Sequence, residues 1–201
     1  MPLQYRVVDG NSFFRYDASL GISSVVSLFV DSKDRLWIGT NDSGVAVYDK
    51  GEFTSYKKDA ALRSASIRSI AEDPSGNILI ATTHGISYID ADMELHLFDA
   101  PQLNEEYINE LHAGSDGVLY GETQNGAFFS IEDMRVSAFF NGKDLGLSGV
   151  NCIFPSLTDN GYVYLGTEDG RVIYGDMRDG MKNYKTYSAA PQVNINCIFQ
   201  D

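Results

Sequence analysis

The sequence predicts an all-β fold of the β-propeller type, because one pattern of short apolar strands recurs along its length. Four copies occupy residues 25–56, 67–98, 108–140 and 150–187. The period of about 42 residues is typical of propeller blades with four strands each. Apolar residues alternate or form short β-branched and aromatic blocks, whereas helical repeats would show them at helical spacing. We therefore expect four complete four-stranded blades.

Within each copy the sequence predicts four strands in chain order. In the first copy an inner strand over residues 25–31 leads through an Asp-rich turn to a second strand with the sequence LWIGT. A loop that ends at Gly44 leads to the third strand, and residues 53–56 form the outer strand. Gly, Asp and Asn separate the apolar blocks, and these are the residues that tight turns favour.

Partial blades are predicted at both ends of this array, within one domain that covers residues 1–201. Residues 10–16 align with the outer strand of a preceding blade, and residues 195–201 align with the inner strand of a following blade. We therefore expect the chain to be part of a larger propeller. Its unpaired strand edges would favour self-association or pairing with the rest of the parent propeller.

One small residue recurs after the apolar run of the second strand. In the four copies this residue is predicted to be Gly39, Ala81, Gly121 and Gly166. A small residue inside a strand often marks a place where another backbone approaches closely. These positions are predicted to lie where neighbouring blades meet near the axis.

The composition excludes one class of partner. The chain has 28 acidic and 15 basic residues, with a formal net charge of −13. Binding to a nucleic-acid backbone needs clustered Lys and Arg, so we expect no nucleic-acid partner. The sequence contains neither a long apolar run that could span a membrane nor a signal-peptide pattern.

The two cysteines are predicted to be small buried thiols. Cys152 and Cys197 each take the third position of an inner strand. Equivalent positions in neighbouring blades face the same way and lie too far apart for a disulfide bond. Free cysteines are among the most buried residue types.

The recurrent acidic residues are predicted to cap turns. They are Asp31, Asp34, Asp73, Asp116 and Asp159. Their spacing lacks the alternating oxygen ligands of a calcium loop, and His84, His96 and His112 lack metal-ligand spacing. We therefore predict no catalytic residue, no metal site and no cofactor, and we expect that this chain is not an enzyme.

A binding surface is predicted where the loops between second and third strands meet the connectors between blades. Candidate residues in these loops and connectors are Asn41, Asp42, Arg63, His84, Tyr107, Gln124, Asn125, Glu168 and Asp169. Arg68, Asn109 and Asn151 share one position of the inner strands and complete the set. Amide, carboxylate and basic side chains suit the recognition of hydroxyl groups. The alternative is that these polar side chains are only solvated.

The repeat resembles that of the two-component regulator propeller family. The first copy carries Asp31, Leu36, Trp37, Ile38, Gly39, Thr40, Gly44, Asp49, Phe53 and Tyr56. The second copy keeps Asp73, Gly76, Ile80, Thr82, Gly85 and Asp90. The fourth keeps Leu165, Gly166, Thr167 and Gly170, and the third departs most, with Tyr120, Gly121 and Glu122. Four copies in phase make the resemblance specific.

This resemblance implies a ligand-sensing domain of a bacterial membrane-anchored signalling protein, located in the periplasm or outside the cell. In such proteins the propeller is followed by a transmembrane helix and an output module. The module is a histidine kinase, often a hybrid one, or a diguanylate cyclase of the GGDEF type. Small carbohydrate fragments are the implied ligands. The 201 residues contain no kinase or GGDEF-like segment.

Two functions of other classes stay open at the level of sequence. One is a protein-interaction or dimerisation propeller without a small ligand, which would expose a large apolar patch. The other is a propeller enzyme, either a lyase or a glycosidase, which would need convergent acids or a metal at the axis. The fold does not decide among these functions.

Overall fold

The computed structural model describes residues 24–57, 60–188 and 193–200, and the backbone of two strands near the start of the chain. These two strands, β1 (Gln4–Val8) and β2 (Asn11–Arg15), pair in antiparallel fashion. The described part of the outer strand predicted at residues 10–16 is β2. Its partner β1 was not predicted, although Asp9 and Gly10 form a dipeptide that is typical of hairpin turns.

Four antiparallel sheets of four strands each follow, which we call blades 1 to 4. Blade 1 contains β3 (Val25–Val30), β4 (Leu36–Thr40), β5 (Val45–Asp49) and β6 (Glu52–Tyr56). Blade 2 contains β7 (Ile67–Glu72), β8 (Ile78–Thr82), β9 (Gly85–Ile89) and β10 (Leu95–Leu97). Blade 3 contains β11 (Ile108–Ala113), β12 (Leu119–Thr123), β13 (Ala127–Glu132) and β14 (Arg135–Asn141). Blade 4 contains β15 (Val150–Pro155), β16 (Tyr162–Thr167), β17 (Arg171–Asp176) and β18 (Lys185–Ser188).

The spatial order of strands in every blade is their chain order, which confirms the predicted all-β propeller fold. The inner strands are neighbours from blade to blade, since β3 contacts β7, β7 contacts β11 and β11 contacts β15. A short 3-10 helix, Gly142–Leu145, lies in the connector between blades 3 and 4. No helix in the described ranges is long and apolar enough to cross a membrane.

Apolar side chains fill the three interfaces between consecutive blades. Representative buried residues are Trp37 and Ile70 between blades 1 and 2, Leu79 and Phe129 between blades 2 and 3, and Phe128 and Leu165 between blades 3 and 4. Phe128 and Phe129 enter different interfaces because successive strand residues point to opposite faces of a sheet. Burial of one such side chain contributes about 1.5–3 kcal/mol. The core of the protein therefore lies between the blades.

The predicted close approach of blades is found at Gly39 and Gly166. A Cβ atom on Gly39 would lie 2.7 Å from Ile67 Cγ2, and one on Gly166 would lie 2.6 Å from Ile195 Cγ2. In both cases the neighbour is the first residue of the next inner segment. The small residue therefore lets the next blade pack directly on the second strand.

The strand register corrects the alignment of the third copy. Glu122, and not Gly121, takes the place of the small residue, and it pairs with Glu110 on the inner strand. Gly121 lies one position earlier, where the ring of Phe129 covers it. The prediction for Gly121 is wrong because a shift of one residue along a strand moves a side chain to the other face.

The segment at residues 193–200 forms no strand, in contrast to the inner strand predicted over 195–201. The Ile195 N–H donates to the carbonyl of Thr167 at 3.0 Å, and the Phe199 ring packs near that of Phe154. A strand needs a hydrogen-bonded partner strand, and the described residues place none beside this segment. Residue 201 lies outside the described residues.

The two cysteines differ in their surroundings. Cys152 is buried and Cys197 is exposed, and both are free thiols. The prediction of a buried thiol is thus right for Cys152 and wrong for Cys197, because no described strand covers the segment that carries Cys197. Burial raises the pKa of the Cys152 thiol to about 12, so this residue is a protonated, apolar core side chain at neutral pH.

Candidate ligand-binding face

Every blade begins with the same backbone irregularity. The register of the first strand pair shifts between Val25 and Ser27, and equivalent shifts open β7, β11 and β15. Each shift leaves one residue of the inner strand without an opposite partner, which is a β-bulge. The four bulged residues, which we call the bulge row, are Val26, Arg68, Asn109 and Asn151.

The bulge row lies at one end of the blades, which we call the loop face. This end carries the loops between second and third strands and the connectors between blades. The opposite end, the turn face, carries the turns between first and second strands. β-Bulges re-aim side chains and are frequent next to functional sites. Three of the sequence candidates, Arg68, Asn109 and Asn151, are thus brought to equivalent places in adjacent inner strands, and all three are half-buried.

Arg68 lies over an aromatic ring from the next blade connector. Its guanidinium carbon is 5.4 Å from the centroid of the Tyr107 ring. The Nε atom of Arg68 is buried and has no hydrogen-bond partner. Tyr107 in turn is fixed by its backbone, because its carbonyl accepts the Gln124 N–H at 2.9 Å.

Asn109 lies beside a pair of carboxyl groups. Glu122 is fully buried, and neither of its carboxyl oxygens has a hydrogen-bond partner. Burial raises the pKa of Glu122 to about 9, and the nearby Glu110 carboxylate adds to this rise. The Asn109 amide lies near the Glu122 carboxyl group and offsets part of this pKa rise, but the two groups do not reach hydrogen-bond geometry. Glu122 is therefore a neutral carboxylic acid at neutral pH.

Glu110 differs from Glu122 in its exposure. Its side chain is 49% exposed and lies 3.0 Å from His112 Nε2, two residues along the same strand. Glu122 is the site feature that the sequence analysis missed. The signal was present, because Glu122 is the one acidic residue at a position that is small in the other three copies, but the alignment of Gly121 hid it.

The loop candidates form a polar rim around the bulge row. Ser66 donates to Asn41 Oδ1 at 3.3 Å, and Asn125 donates to Glu106 at 3.1 Å. His84 Nδ1 lies 3.0 Å from the Thr83 hydroxyl. Further exposed members of the rim are Asp42, Gln124 and Glu168. These residues lie at the surface of the loop face, where Asp42 accepts from the Ser43 hydroxyl at 2.8 Å.

Two of the sequence candidates are held mainly by structural contacts. The Arg63 guanidinium donates to the carbonyl of Phe98 at 3.0 Å and to Asn104 Oδ1 at 2.7 Å, which ties two connectors together. Asp169 accepts from the Thr167 hydroxyl at 2.6 Å and from Arg171 Nε at 2.9 Å. These bonds hold the pKa of Asp169 well below its ordinary value. Arg63 and Asp169 therefore shape the loop face more than they offer free groups to a ligand.

Three of the five recurrent aspartates cap the turns of the turn face, as predicted. The Asp159 carboxylate instead accepts from the hydroxyls of Thr158 and Tyr174, and Asp34 takes part through its backbone N–H, which donates to the Asp31 carbonyl. Asp31 accepts the Lys33 and Arg35 N–H groups, both at 2.9 Å, and Asp73 accepts the Ser75 and Asn77 N–H groups in the same way. Asp116 accepts from the Val118 N–H at 3.2 Å. These carboxylates are occupied by protein donors, and Asp116 also accepts the Gly161 N–H of blade 4 at 2.8 Å. Among the described residues, no group of three or more His, Cys, Asp or Glu side chains could hold a metal ion.

Cavities lie between blades at the turn face in the described part of the chain. One of about 300 Å³ is bordered by Ser32, Glu72 and Pro74. Another of about 370 Å³ is bordered by Asp116, Tyr120 and Arg178. Neither cavity is bordered by a residue that the sequence analysis predicts to bind a ligand. The loop face is thus marked by its bulges and by its unpartnered polar atoms, not by these cavities.

Two segments of the chain, residues 19–42 and 61–84, match the family model described as two component regulator propeller. A search of the curated proteins finds no significant match. Among solved structures, virginiamycin B lyase from Staphylococcus aureus is similar with a TM-score of 0.70 and 18% identity. The match covers 90% of this chain and 60% of the lyase.

Two extracellular domains from B. thetaiotaomicron are also similar, each described as part of a hybrid two-component system. One matches with a TM-score of 0.66 and 23% identity over 88% of this chain and 25% of that domain. The other matches with a TM-score of 0.65 and 20% identity over 86% of this chain and 24% of that domain. The chain thus spans about a quarter of these domains, and at such identities the likeness shows the fold alone. The matched segments confirm the resemblance that the repeats indicated: residues 19–42 and 61–84 are two-component regulator propeller repeats, and they lie on a β-propeller scaffold.

Proposed function

We propose that this chain is a ligand-sensing propeller of a bacterial membrane-anchored signalling protein and works outside the cytoplasm. The supporting observation is the bulge row, which repeats polar side chains in adjacent inner strands at the loop face. The two segments that match the two-component regulator propeller model add support, because that family supplies sensor domains. A kinase or GGDEF output module would lie elsewhere in the parent protein.

The proposed ligand class is a small carbohydrate fragment. Asn109 and Asn151 offer amide groups that both donate and accept hydrogen bonds, which suits hydroxyl-rich ligands. Tyr107 offers an aromatic ring on the same face. The rim residues Asn41 and Asn125 add further amides.

Isothermal titration of the 201-residue chain with a panel of oligosaccharide fragments tests this function. We expect one fragment class to bind, and we expect Asn151→Ala to weaken that binding about 5-fold through the loss of one hydrogen bond. Asn160→Ala changes an exposed amide on the turn face and is the matched control. Binding that is equally sensitive to both substitutions, or no binding by any fragment, would contradict the proposal.

The coding sequence on both sides of these residues gives a second test. We expect it to encode an apolar transmembrane helix and then a histidine kinase or a GGDEF cyclase. A catalytic domain of another kind, neither kinase nor cyclase, beside the propeller would contradict the signalling role, and so would the lack of a membrane segment.

A protein-interaction role is the second candidate, and one surface favours it. The inner strand β3 of blade 1 exposes four apolar side chains, each to 46–64%: Val25, Val26, Leu28 and Val30. Blade 1 therefore has an apolar side. Apolar patches of this kind mark contact surfaces. The likeness to a lyase shows the fold alone, so it supports no catalytic proposal.

A further inference from the structure

Arg68 differs from the other arginines of the described ranges. Arg35, Arg171 and Arg178 each form an ion pair with an aspartate. Arg63 is bound by carbonyl and amide oxygens. Arg135 is exposed on the outer strand β14. Arg68 alone in these ranges is half-buried with neither an ion pair nor a hydrogen bond to its side chain.

An arginine without a partner is unusual in this setting. The chain carries 28 acidic residues against 15 basic ones, so carboxylates are abundant. A buried donor without an acceptor destabilises a fold unless something else satisfies it. The Nε atom of Arg68 is such a donor, whereas its terminal nitrogens are not among the buried unsatisfied atoms and so reach solvent.

The position of Arg68 is prepared by two structural features. The β-bulge at the start of β7 releases the residue from the regular pairing, so its side chain is not constrained to the blade interface. The Tyr107 ring lies 5.4 Å from the guanidinium carbon, close enough to attract the cation and to restrict where the group lies. A planar guanidinium that is held in place loses little entropy when it binds a planar or tetrahedral oxyanion.

Neighbouring groups add hydrogen-bond donors. Asn109 occupies the bulge of the adjacent inner strand, and Asn41 accepts from Ser66 through Oδ1, so its NH₂ group remains a donor. The buried acid of blade 3, Glu122, is neutral at neutral pH because burial raises its pKa to about 9. The surroundings of Arg68 thus favour an acceptor that is brought by a ligand.

We propose that Arg68 binds an anionic group of the ligand, a carboxylate or another oxyanion, with Tyr107 as the platform beneath its guanidinium. This inference rests on the proposed sensing function and narrows it to acidic ligands. The anion would take two hydrogen bonds from the guanidinium, and the hydroxyl-binding amides of the bulge row would hold the rest of the molecule.

Nuclear magnetic resonance of the arginine Nε–Hε groups tests this site directly in the 201-residue chain. Sodium acetate and sodium sulfate are the probes, and sodium chloride at matched ionic strength is the reference. We expect one Nε–Hε resonance to shift saturably with acetate or sulfate, and to be absent in Arg68→Gln. Arg68→Lys keeps the charge but loses the planar fork of donors, so the affinity that the backbone amide shift of Tyr107 reports should fall about 10-fold. Arg135→Gln, which removes an exposed arginine of β14, should leave the titration unchanged.

Saturation by acetate alone would assign a carboxylate, and saturation by sulfate alone would assign a sulfate-like or phosphate-like group. Shifts that follow ionic strength, or an unchanged response in a folded Arg68→Gln variant, would overturn the proposal. Circular dichroism verifies that each variant is folded, and Tyr107→Leu repeats the test if Arg68→Gln does not fold.

If oligosaccharides bind but Arg68→Gln binds them equally well, the anion site fails while the sensing function stands. If anions saturate Arg68 and no member of the panel binds, the sensing function fails by itself.

Discussion

The pKa values of two buried carboxyl groups, Asp31 and Glu122, are shifted in opposite directions. Burial raises the pKa of Asp31, but hydrogen bonds from Trp37 and Arg35, with a further one from the Lys33 N–H, outweigh it and hold the pKa below its ordinary value. Glu122 is buried without such donors, so its pKa rises to about 9. The difference comes from the partners, since burial acts in the same direction on both residues.

Replacement of Asp31 should weaken the fold strongly. The carboxylate binds Arg35 Nε at 2.6 Å and Trp37 Nε1 at 2.8 Å, and its side chain is fully buried. Loss of one partner of a buried ion pair costs about 3 kcal/mol. Asp31→Ala should therefore lower the free energy of unfolding in urea by about that amount. Fluorescence of Trp37, the single tryptophan, reports the transition.

The same substitution should also remove part of the acid sensitivity. A carboxyl group with a lowered folded pKa stabilises the protein above its unfolded pKa, and this contribution is lost as pH falls through the folded pKa. The wild-type chain should lose stability below about pH 4, and Asp31→Ala should lose less over that range. Asp92→Ala, which removes an exposed carboxylate, is the control. An Asp31→Ala chain as stable as the control would contradict the role of this residue.

Glu122→Gln should stabilise the protein at alkaline pH. Between its unfolded pKa, near 4.5, and its folded pKa, about 9, Glu122 binds more protons in the folded state. Stability therefore falls as pH rises through this window, by up to about 1.4 kcal/mol per pH unit. The amide cannot ionise, so the variant should lack this slope.

Urea unfolding at pH 5, 7 and 9 measures the slope for both chains. Glu132→Gln, at an exposed position of β13, is the matched control and should keep the wild-type slope. A Glu122→Gln chain with an unchanged pH dependence would show that Glu122 is ionised in the folded protein.

At the scale of the strand, the sequence predicted the type and order of the elements well. The LWIGT segment forms β4 over Leu36–Thr40, as expected from its β-branched and aromatic residues. The pairing of strands was less predictable. Nothing in the sequence marks the bulge at Val26 or Arg68, because a bulge depends on the register of two strands and not on the composition of one.

Only part of the candidate site could be predicted from the sequence, because the rest depends on how strands pair and how segments pack. Asn109 and Asn151 recur at one repeat position, so a comparison of the copies finds them. Arg63 lies in a predicted connector, yet its guanidinium ties that connector to Asn104. Glu122 escaped notice because its position in the blade follows from pairing with Glu110. Contacts between segments that are distant in sequence decided each of these cases.

The close approach of blades 1 and 2 predicts the effect of a larger residue at Gly39. A Cβ atom there would lie 2.7 Å from Ile67 Cγ2, so Gly39→Val should force the blades apart and cost about 1–3 kcal/mol. Thr54→Val introduces the same side chain on the exposed outer strand β6 and is the control. Thermal unfolding compares the two variants, and equal midpoints would show that the interface accommodates the added volume.

At the scale of the whole molecule, the apolar side of blade 1 predicts self-association. Leu28 is 64% exposed in the middle of the inner strand β3. Burial of such side chains between two copies would be favourable, and a strand edge provides hydrogen-bonding groups as well. We expect the 201-residue chain to associate in a concentration-dependent way in sedimentation velocity. Leu28→Lys should shift it towards the monomer.

Leu97→Lys is the matched control for that experiment. Leu97 is 48% exposed but lies on β10, the outer strand of blade 2. The control should associate like the wild-type chain. If both variants become monomeric to the same extent, general hydrophobicity and not the β3 surface drives association.

The sequence by itself determined the strands, the turns and the blade repeat of this protein. Those features depend on local alternation of apolar residues and on turn residues such as Asp31 and Gly76, which act within a few positions of the chain. Only the tertiary structure decided which residues of neighbouring blades meet. The position of the Arg68 guanidinium over the Tyr107 ring and the burial of Glu122 depend on the packing of one blade against the next, which no local pattern encodes.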